Sequence, residues 1–330
     1  MLSREMTFRT VVELPKMERT MQLGDRFVFL GSCFAEHIGR RCGEYGLPVL
    51  CNPTGVLYNP LSLLRVVQGA AGDDSRWPVF QHDGRWYCWL AGTQLSAADE
   101  AACRSLMAGV FHALRQALAE SAYLFITLGT NVCYRLRESG LVVTNCHKMP
   151  AARFEEFSLG VGECTQALLQ LVDAARALNP ALRVVFTVSP YRYAKYGFHG
   201  SQLSKAVLLL GAEDVCRQRE MCTYLPIYEI FMDELRDYRF YAEDMVHPAP
   251  VAVDYVWHRL VEACMAPQLQ AYLTDYEPLR RAQAHRLSDP DSPQSQAFLQ
   301  RTEALRKSLA EKYDVKGFSH PFPSPPINSH

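Results

Sequence analysis

The chain has 330 residues, 48% of them hydrophobic, which suffices for one large domain with insertions or two modest ones. With 34 basic and 35 acidic side chains the net charge is -1, and no run of four Lys or Arg occurs, so a polyanionic partner or an anionic membrane surface is not expected. No stretch approaches the ~18 apolar residues of a membrane span, residues 1–20 hold no signal-like apolar block, and eleven single cysteines without Cys-x-x-Cys read as reduced thiols of a cytoplasmic protein.

Residues 1–26 read as a lead-in without chemistry. Phe27-Val28-Phe29-Leu30 is a continuous apolar run and predicts a strand buried on both faces. Gly31-Ser32 then signals a turn. Phe34, Ile38, Cys42 and Tyr45, spaced as on a helix, predict one over 34–45. Ser32 thus falls at the carboxyl end of a core strand and the amino end of a helix, where ligands collect in open α/β sheets and free N–H groups face an anion. Its simpler role there is that of a helix N-cap.

Val49-Leu50-Cys51 predicts a second parallel strand, Asn52-Pro53-Thr54-Gly55 a turn at the same sheet edge, and Pro60 opens a helix. Residues 71–74 read as a loop. Asp83-Gly84 between two aromatic-rich runs predicts a hairpin insertion near 77–90, whose Trp77, Trp86 and Trp89 either wall a pocket or pack on the domain. A helix over 97–119 leads to Tyr123-Leu124-Phe125-Ile126-Thr127-Leu128-Gly129, the clearest central strand, ending in Gly129-Thr130-Asn131.

A second hairpin-like insertion, near 132–144, delivers Asn145-Cys146-His147-Lys148, and the chain to Gly162 reads as loop. A helix over 163–178, a core strand over 182–189, a polar-aromatic loop holding Arg192 and Lys195, and a helix over 202–218 capped by Ser201 follow. The last strand is expected at 224–228, on an edge because of Pro226, with Glu229 at its end and a helix over 229–241. Asp244-Met245-Val246-His247-Pro248 precedes a closing helix. Charged helices over 266–284 and 293–312 and a proline-rich tail end the chain. Strand–helix alternation over 27–265 predicts a three-layer α/β/α sandwich with a mostly parallel central sheet.

Serine nucleophilic chemistry needs an imidazole within ~3 Å of the hydroxyl, a carboxylate to orient it, and donors facing the oxyanion. Of the ten histidines, His147, His199 and His247 fall in loops attached to core strands. Only His247 has an orienter close by, Asp244 three residues earlier. Asp-x-x-His is a common pattern alone; paired with Gly31-Ser32 it becomes informative.

Gly31-Ser32, the glycine turn after the second strand, Gly129-x-Asn131 and Asp244-x-x-His247 together resemble the SGNH (GDSL-like) hydrolases. More closely, Gly31-Ser32-Cys33-Phe34-Ala35 is similar to the signature of the GSCFA family within that superfamily. Asn52-Pro53-x-Gly55-x-x-Tyr58-Asn59-Pro60, Asn145-Cys146-His147-Lys148, Ser189-Pro190, Ser204-Lys205-Ala206 and the run from Glu229 to Pro248 resemble it too, so the likeness covers roughly 25–262. It implies an SGNH-hydrolase-like, flavodoxin-like fold: a catalytic domain over 27–265, C-terminal helices over 266–313 and a flexible tail over 314–330.

The resemblance further implies Ser32 as nucleophile, His247 as base and later acid, Asp244 as its orienter, and an oxyanion hole from the Ser32 and Gly55 amides and the Asn131 side chain. Asn145, which leads a family motif of its own, competes with Asn131 for that place. The broader superfamily carries Gly-Asp-Ser; here Leu30 precedes Gly31-Ser32. Asn145, His147, Lys148, Arg192, Lys205 and Glu229 are candidate substrate contacts around a polar pocket; packing is the other reading for His147 and Lys148, and a surface or salt-bridged role for each of Arg192, Lys205 and Glu229 alone. The implied activity is hydrolysis of an acyl ester, of a polar or sugar-like substrate, without cofactor or metal. Two other readings stand beside it: acyl transfer to a carbohydrate or other alcohol with the same residues, and a non-catalytic binding protein on a hydrolase fold. Cys33 as a helix-terminal thiolate and Cys146-His147 as metal ligands are the local alternatives.

Overall fold

A computed structural model describes residues 8–72, 77–287 and 289–314. The chain runs β1 (Phe27–Gly31), α1 (Cys33–Glu44), β2 (Val49–Cys51), α2 (Pro60–Ala71), β3 (Val79–His82), β4 (Arg85–Cys88), α3 (Glu100–Glu120) and β5 (Tyr123–Leu128). Then come β6 (Val132–Leu136), β7 (Val142–Val143), β8 (Phe154–Ser158), α4 (Val161–Leu178), β9 (Arg183–Val188) and α5 (Gly197–Gln218). β10 (Cys222–Tyr224), the single turn α6 (Ile227–Glu229), α7 (Pro250–Cys264), α8 (Pro267–Ala284) and α9 (Pro293–Tyr313) complete it.

Five strands form one parallel sheet in the order β10-β9-β5-β1-β2. The continuous apolar runs explain the layering, because alternate residues of one strand enter different cores. Val28 and Leu30 of β1, with Leu124, Ile126 and Leu128 of β5, pack against residues of α2, α3, α4 and α5. Phe27, Phe29, Tyr123 and Phe125 face the other way, against α1, α7 and α8. Phe29 and Phe125 stack at 4.4 Å between ring centroids. Fully burying each such side chain contributes about 1.5–3 kcal/mol. The result is a mixed α/β fold, a parallel five-stranded sheet flanked by helices.

β2 lies on one side of β1 and β5 on the other, so the strand order reverses at β1. A crevice outside the carboxyl ends of β1 and β5 is the usual ligand place in such a sheet. Ser32 and the Gly129–Asn131 segment lead out of those two ends.

Four expectations differ. Residues 154–158, read as loop, form β8; Phe154-Glu155-Glu156-Phe157 lacks the strict alternation that signals a strand. What holds it is pairing with β6 and the Arg135–Glu155 fork at 2.8 and 2.6 Å. α5 starts at Gly197, so Ser201 lies inside the helix and its Oγ accepts from the Tyr193 amide at 3.2 Å instead of capping. The last strand is Cys222–Tyr224, ending before Pro226, though it is an edge strand. The helix expected over 229–241 breaks into α6, a π-turn at Ile230–Glu234 and a 3-10 turn at Tyr238–Phe240. The buried Glu234 carboxylate is held there by Arg259, at 2.6 and 2.5 Å, and by the Val12 amide.

The hairpin at Asp83-Gly84 forms as expected. Trp77 stacks on Phe111 and Trp89 on Phe80, so both are packing residues. The loop expected at 71–74 falls partly outside the described residues, since α2 extends to Ala71 and 73–76 are not described; the tail beyond 314 lies outside them too. No helix among the described residues is long and apolar enough to cross a membrane.

Candidate active site

Gly31 makes the turn that presents Ser32. Its φ is +139°, and a Cβ there would lie 2.3 Å from the Thr127 carbonyl oxygen, so only glycine allows β1 to close on β5. The Asn52 side chain clamps Gly31 on both of its backbone groups: Oδ1 accepts from the Gly31 amide at 2.8 Å and Nδ2 donates to its carbonyl at 3.1 Å. Asn52 itself sits at φ +41°, a conformation asparagine tolerates better than most residues. Sequence reasoning missed this clamp, whose signal was an asparagine opening the Asn52-Pro53-x-Gly55 turn.

Ser32 is 1% exposed and caps α1; its Oγ accepts from the Phe34 amide at 3.3 Å. Accepting spends a lone pair and leaves the hydroxyl proton, which has no acceptor among the described residues. Cys33 follows, half-buried, and desolvation together with Glu36 pushes its thiol up, which works against a thiolate.

Asp244 and His247 pair directly. Asp244 Oδ1 accepts from the Val246 amide at 3.0 Å and the His247 amide at 2.9 Å, while Oδ2 meets His247 Nδ1. The His247 amide first, then its ring and the Val246 amide, hold the Asp244 carboxyl down to about 2. The carboxylate is therefore ionised at neutral pH and fixes one ring nitrogen. No hydrogen bond engages Nε2 among the described residues.

The segment is tied to the sheet edge. The Arg192 amide donates to the Val246 carbonyl at 3.0 Å, and the Tyr191 ring lies 4.4 Å from that of His247. Ser32 belongs to the same edge: it follows the last residue of β1, and Tyr191 lies three residues past the end of β9 in the same parallel sheet. No hydrogen bond among the described residues joins Ser32 Oγ to His247.

The three expected oxyanion donors already have partners. The Ser32 amide donates to the Thr127 carbonyl at 3.1 Å and the Gly55 amide to the Asn52 carbonyl at 2.8 Å. Asn131 Nδ2 donates to the Leu159 carbonyl at 2.8 Å, which leaves its second proton. Asn145 Oδ1 accepts from the His147 amide at 2.7 Å, and Asn145 lines a 180 Å³ cavity with Tyr58, Thr130, Cys146 and Tyr193.

Among the candidate contacts, His147 is a core residue. It is 3% exposed among Phe80, Tyr87 and Trp89, its Nε2 lies 3.2 Å from the Cys88 carbonyl, and burial lowers its pKa to about 4. No group of three His, Cys, Asp or Glu suited to a metal occurs among the described residues. Lys148 is exposed at φ +57°. Glu229 accepts from the Tyr224 hydroxyl at 3.1 and 2.9 Å beside β10, and burial raises its pKa.

Lys205 is 2% exposed beneath the site and donates to the Gly129 carbonyl at 2.7 Å. Burial first, and Arg192 second, bring its pKa down to about 7. Arg192 itself lines a cavity of about 580 Å³ beside the Asp244–His247 segment.

A model of the GSCFA family matches residues 26–260, which include every element of the parallel sheet and the Ser32, Asp244 and His247 positions. No curated protein matches the chain.

Proposed function

The chain belongs to the GSCFA family, and from that premise we propose that it is a serine hydrolase of SGNH type acting on an acyl ester. The observation that carries the reading is the Asp244–His247 pair, seated at the sheet edge where Ser32 leaves β1 with an uncommitted hydroxyl proton. Asp244 keeps the imidazole in the tautomer with its proton on Nδ1, so Nε2 is the acceptor.

In the proposed reaction the Ser32 Oγ–H proton passes to His247 Nε2 as Oγ bonds to the ester carbonyl carbon. The carbon–oxygen bond to the alcohol then breaks, and His247 returns the proton to the leaving oxygen. Water, activated by the same nitrogen, repeats the sequence and frees the acid. Bringing the hydroxyl to the imidazole requires a change of rotamer or a shift of the exposed 243–247 loop, and such contacts commonly tighten only with substrate bound.

Because the Ser32 and Gly55 amides are already paired, the developing oxyanion relies on the free second proton of Asn131 Nδ2. The positive end of α1 adds to the same place. The polar, tyrosine-lined surroundings favour a polar ester over a long-chain lipid.

A panel of short-chain, long-chain and sugar-acetate esters tests the reading with wild type and Ser32→Ala. Turnover of at least one ester that vanishes in Ser32→Ala is expected. Equal turnover in both proteins overturns it.

A further inference from the structure

Most cations around the site are spoken for. Arg236 pairs with Asp233 at 2.8 Å, Arg239 with Asp237 at 3.5 Å and Lys195 with Glu156 at 2.7 Å, while Lys205 is committed to the Gly129 carbonyl. Arg192 differs. Among the described residues it has no carboxylate partner, and all of its side-chain hydrogen bonds use Nη1: Gln202 Oε1 at 3.1 Å, the Tyr228 hydroxyl at 3.4 Å and Met232 Sδ at 3.1 Å. These neutral groups fix the guanidinium without neutralising it. Nε and Nη2, the edge that matches a carboxylate's two oxygens, are left unbonded.

The half-buried Arg192 lines the 580 Å³ cavity with Phe198, Phe231, Met232, Tyr241 and Met245. A volume of that order suits a small molecule. Its position also connects it to the chemistry. Met245 lies between Asp244 and His247 in the chain, and Phe231 packs edge-on against Phe34, two residues after Ser32, at 6.2 Å between centroids.

We propose that this cavity is the specificity pocket for an ester carrying a carboxylate on an apolar body, with the carboxylate held by the free edge of Arg192 and the body by the aromatic and thioether walls. The inference rests on the hydrolase reading for the word ester, but the carboxylate site is a separate claim. One uncompensated guanidinium matches one negative charge, and a charge-assisted pair shielded by such walls typically carries ~10-fold or more in affinity.

Two matched pairs of probes test it: 4-acetoxybenzoate against its methyl ester, with the charge in the alcohol half, and mono-4-nitrophenyl glutarate against 4-nitrophenyl valerate, with the charge in the acyl half. In at least one pair wild type should favour the charged member in kcat/KM by ~10-fold or more, and in Arg192→Met the ratio should fall to near one. Arg192→Lys, which keeps the charge but loses the fork, should fall between them and guards against misfolding of the methionine variant. Calorimetric titration of 4-acetoxybenzoate and of the glutarate into Ser32→Ala reads binding without turnover.

If no ester is turned over but Ser32→Ala binds either charged probe and Ser32→Ala with Arg192→Met does not, the pocket stands and the hydrolase reading falls. If wild type favours neither charged probe and Ser32→Ala binds neither, or if the preference survives Arg192→Met, the carboxylate pocket is overturned.

Discussion

Lys205 offers a quantitative test that is independent of substrate. Its ammonium is enclosed by the fold, with one carbonyl partner and a guanidinium nearby, and its pKa falls from 10.5 to about 7. A lysine whose folded pKa lies below its unfolded value leaves the unfolded chain holding the extra proton between those two values, so stability rises with pH across that window and is lost as pH falls towards 7. Lys205→Met removes the titration and leaves a pH-independent offset from the unpaired Gly129 carbonyl. The difference in unfolding free energy, wild type minus variant, should therefore move in favour of wild type by roughly 2–3 kcal/mol between pH 7.5 and 9.5, near the limiting slope set by one proton. Urea titrations of both proteins at four pH values in that range read it directly. Taking the difference cancels the thiols and other groups that titrate in both. A difference constant to within ~0.5 kcal/mol across the range would mean that Lys205 keeps an ordinary pKa, and the account of its burial would fail.

Gly31→Ala should destabilise by about 3 kcal/mol in chemical denaturation, since the new methyl meets the Thr127 carbonyl in a backbone conformation that side chains avoid; a loss under 1 kcal/mol would contradict that close approach. Asp244→Asn should lower kcat by ~10³–10⁴-fold with little change in melting temperature, because an amide at that exposed position favours the wrong imidazole tautomer; retention of more than a tenth of the rate would remove Asp244 from its role. His147, with a pKa lowered to about 4, should contribute stability that is present above pH 6.5 and lost as pH falls to 4, by up to about 3 kcal/mol relative to His147→Gln. A pH-independent difference between those two proteins would show that the ring is not buried in its neutral form.

The parallel core was readable because β1, β5 and β9 are buried on both faces and so advertise themselves as unbroken apolar runs. The Asp244–His247 pair was readable because it is local, three residues within one turn. β8 was not, since two adjacent glutamates break its alternation and only its partner strand defines it. The choice between packing and substrate contact for His147 could not be made locally, because its burial depends on a hairpin about sixty residues earlier in the chain. The commitments of the Ser32, Gly55 and Asn131 donors, and the lack of a carboxylate at Arg192, are likewise products of tertiary packing. Residue type names a candidate donor; only the packed chain shows whether its proton is still available.

The central claim is that Ser32 is a nucleophile activated by His247. Intact-mass analysis after exposure of the native protein to a fluorophosphonate probe, with the modified peptide sequenced, measures this most directly. One adduct on Ser32 in wild type and in Cys33→Ser, absent from Ser32→Ala and strongly slowed in His247→Ala, is the predicted result. An unlabelled wild-type Ser32, or labelling that proceeds equally fast without His247, would contradict it.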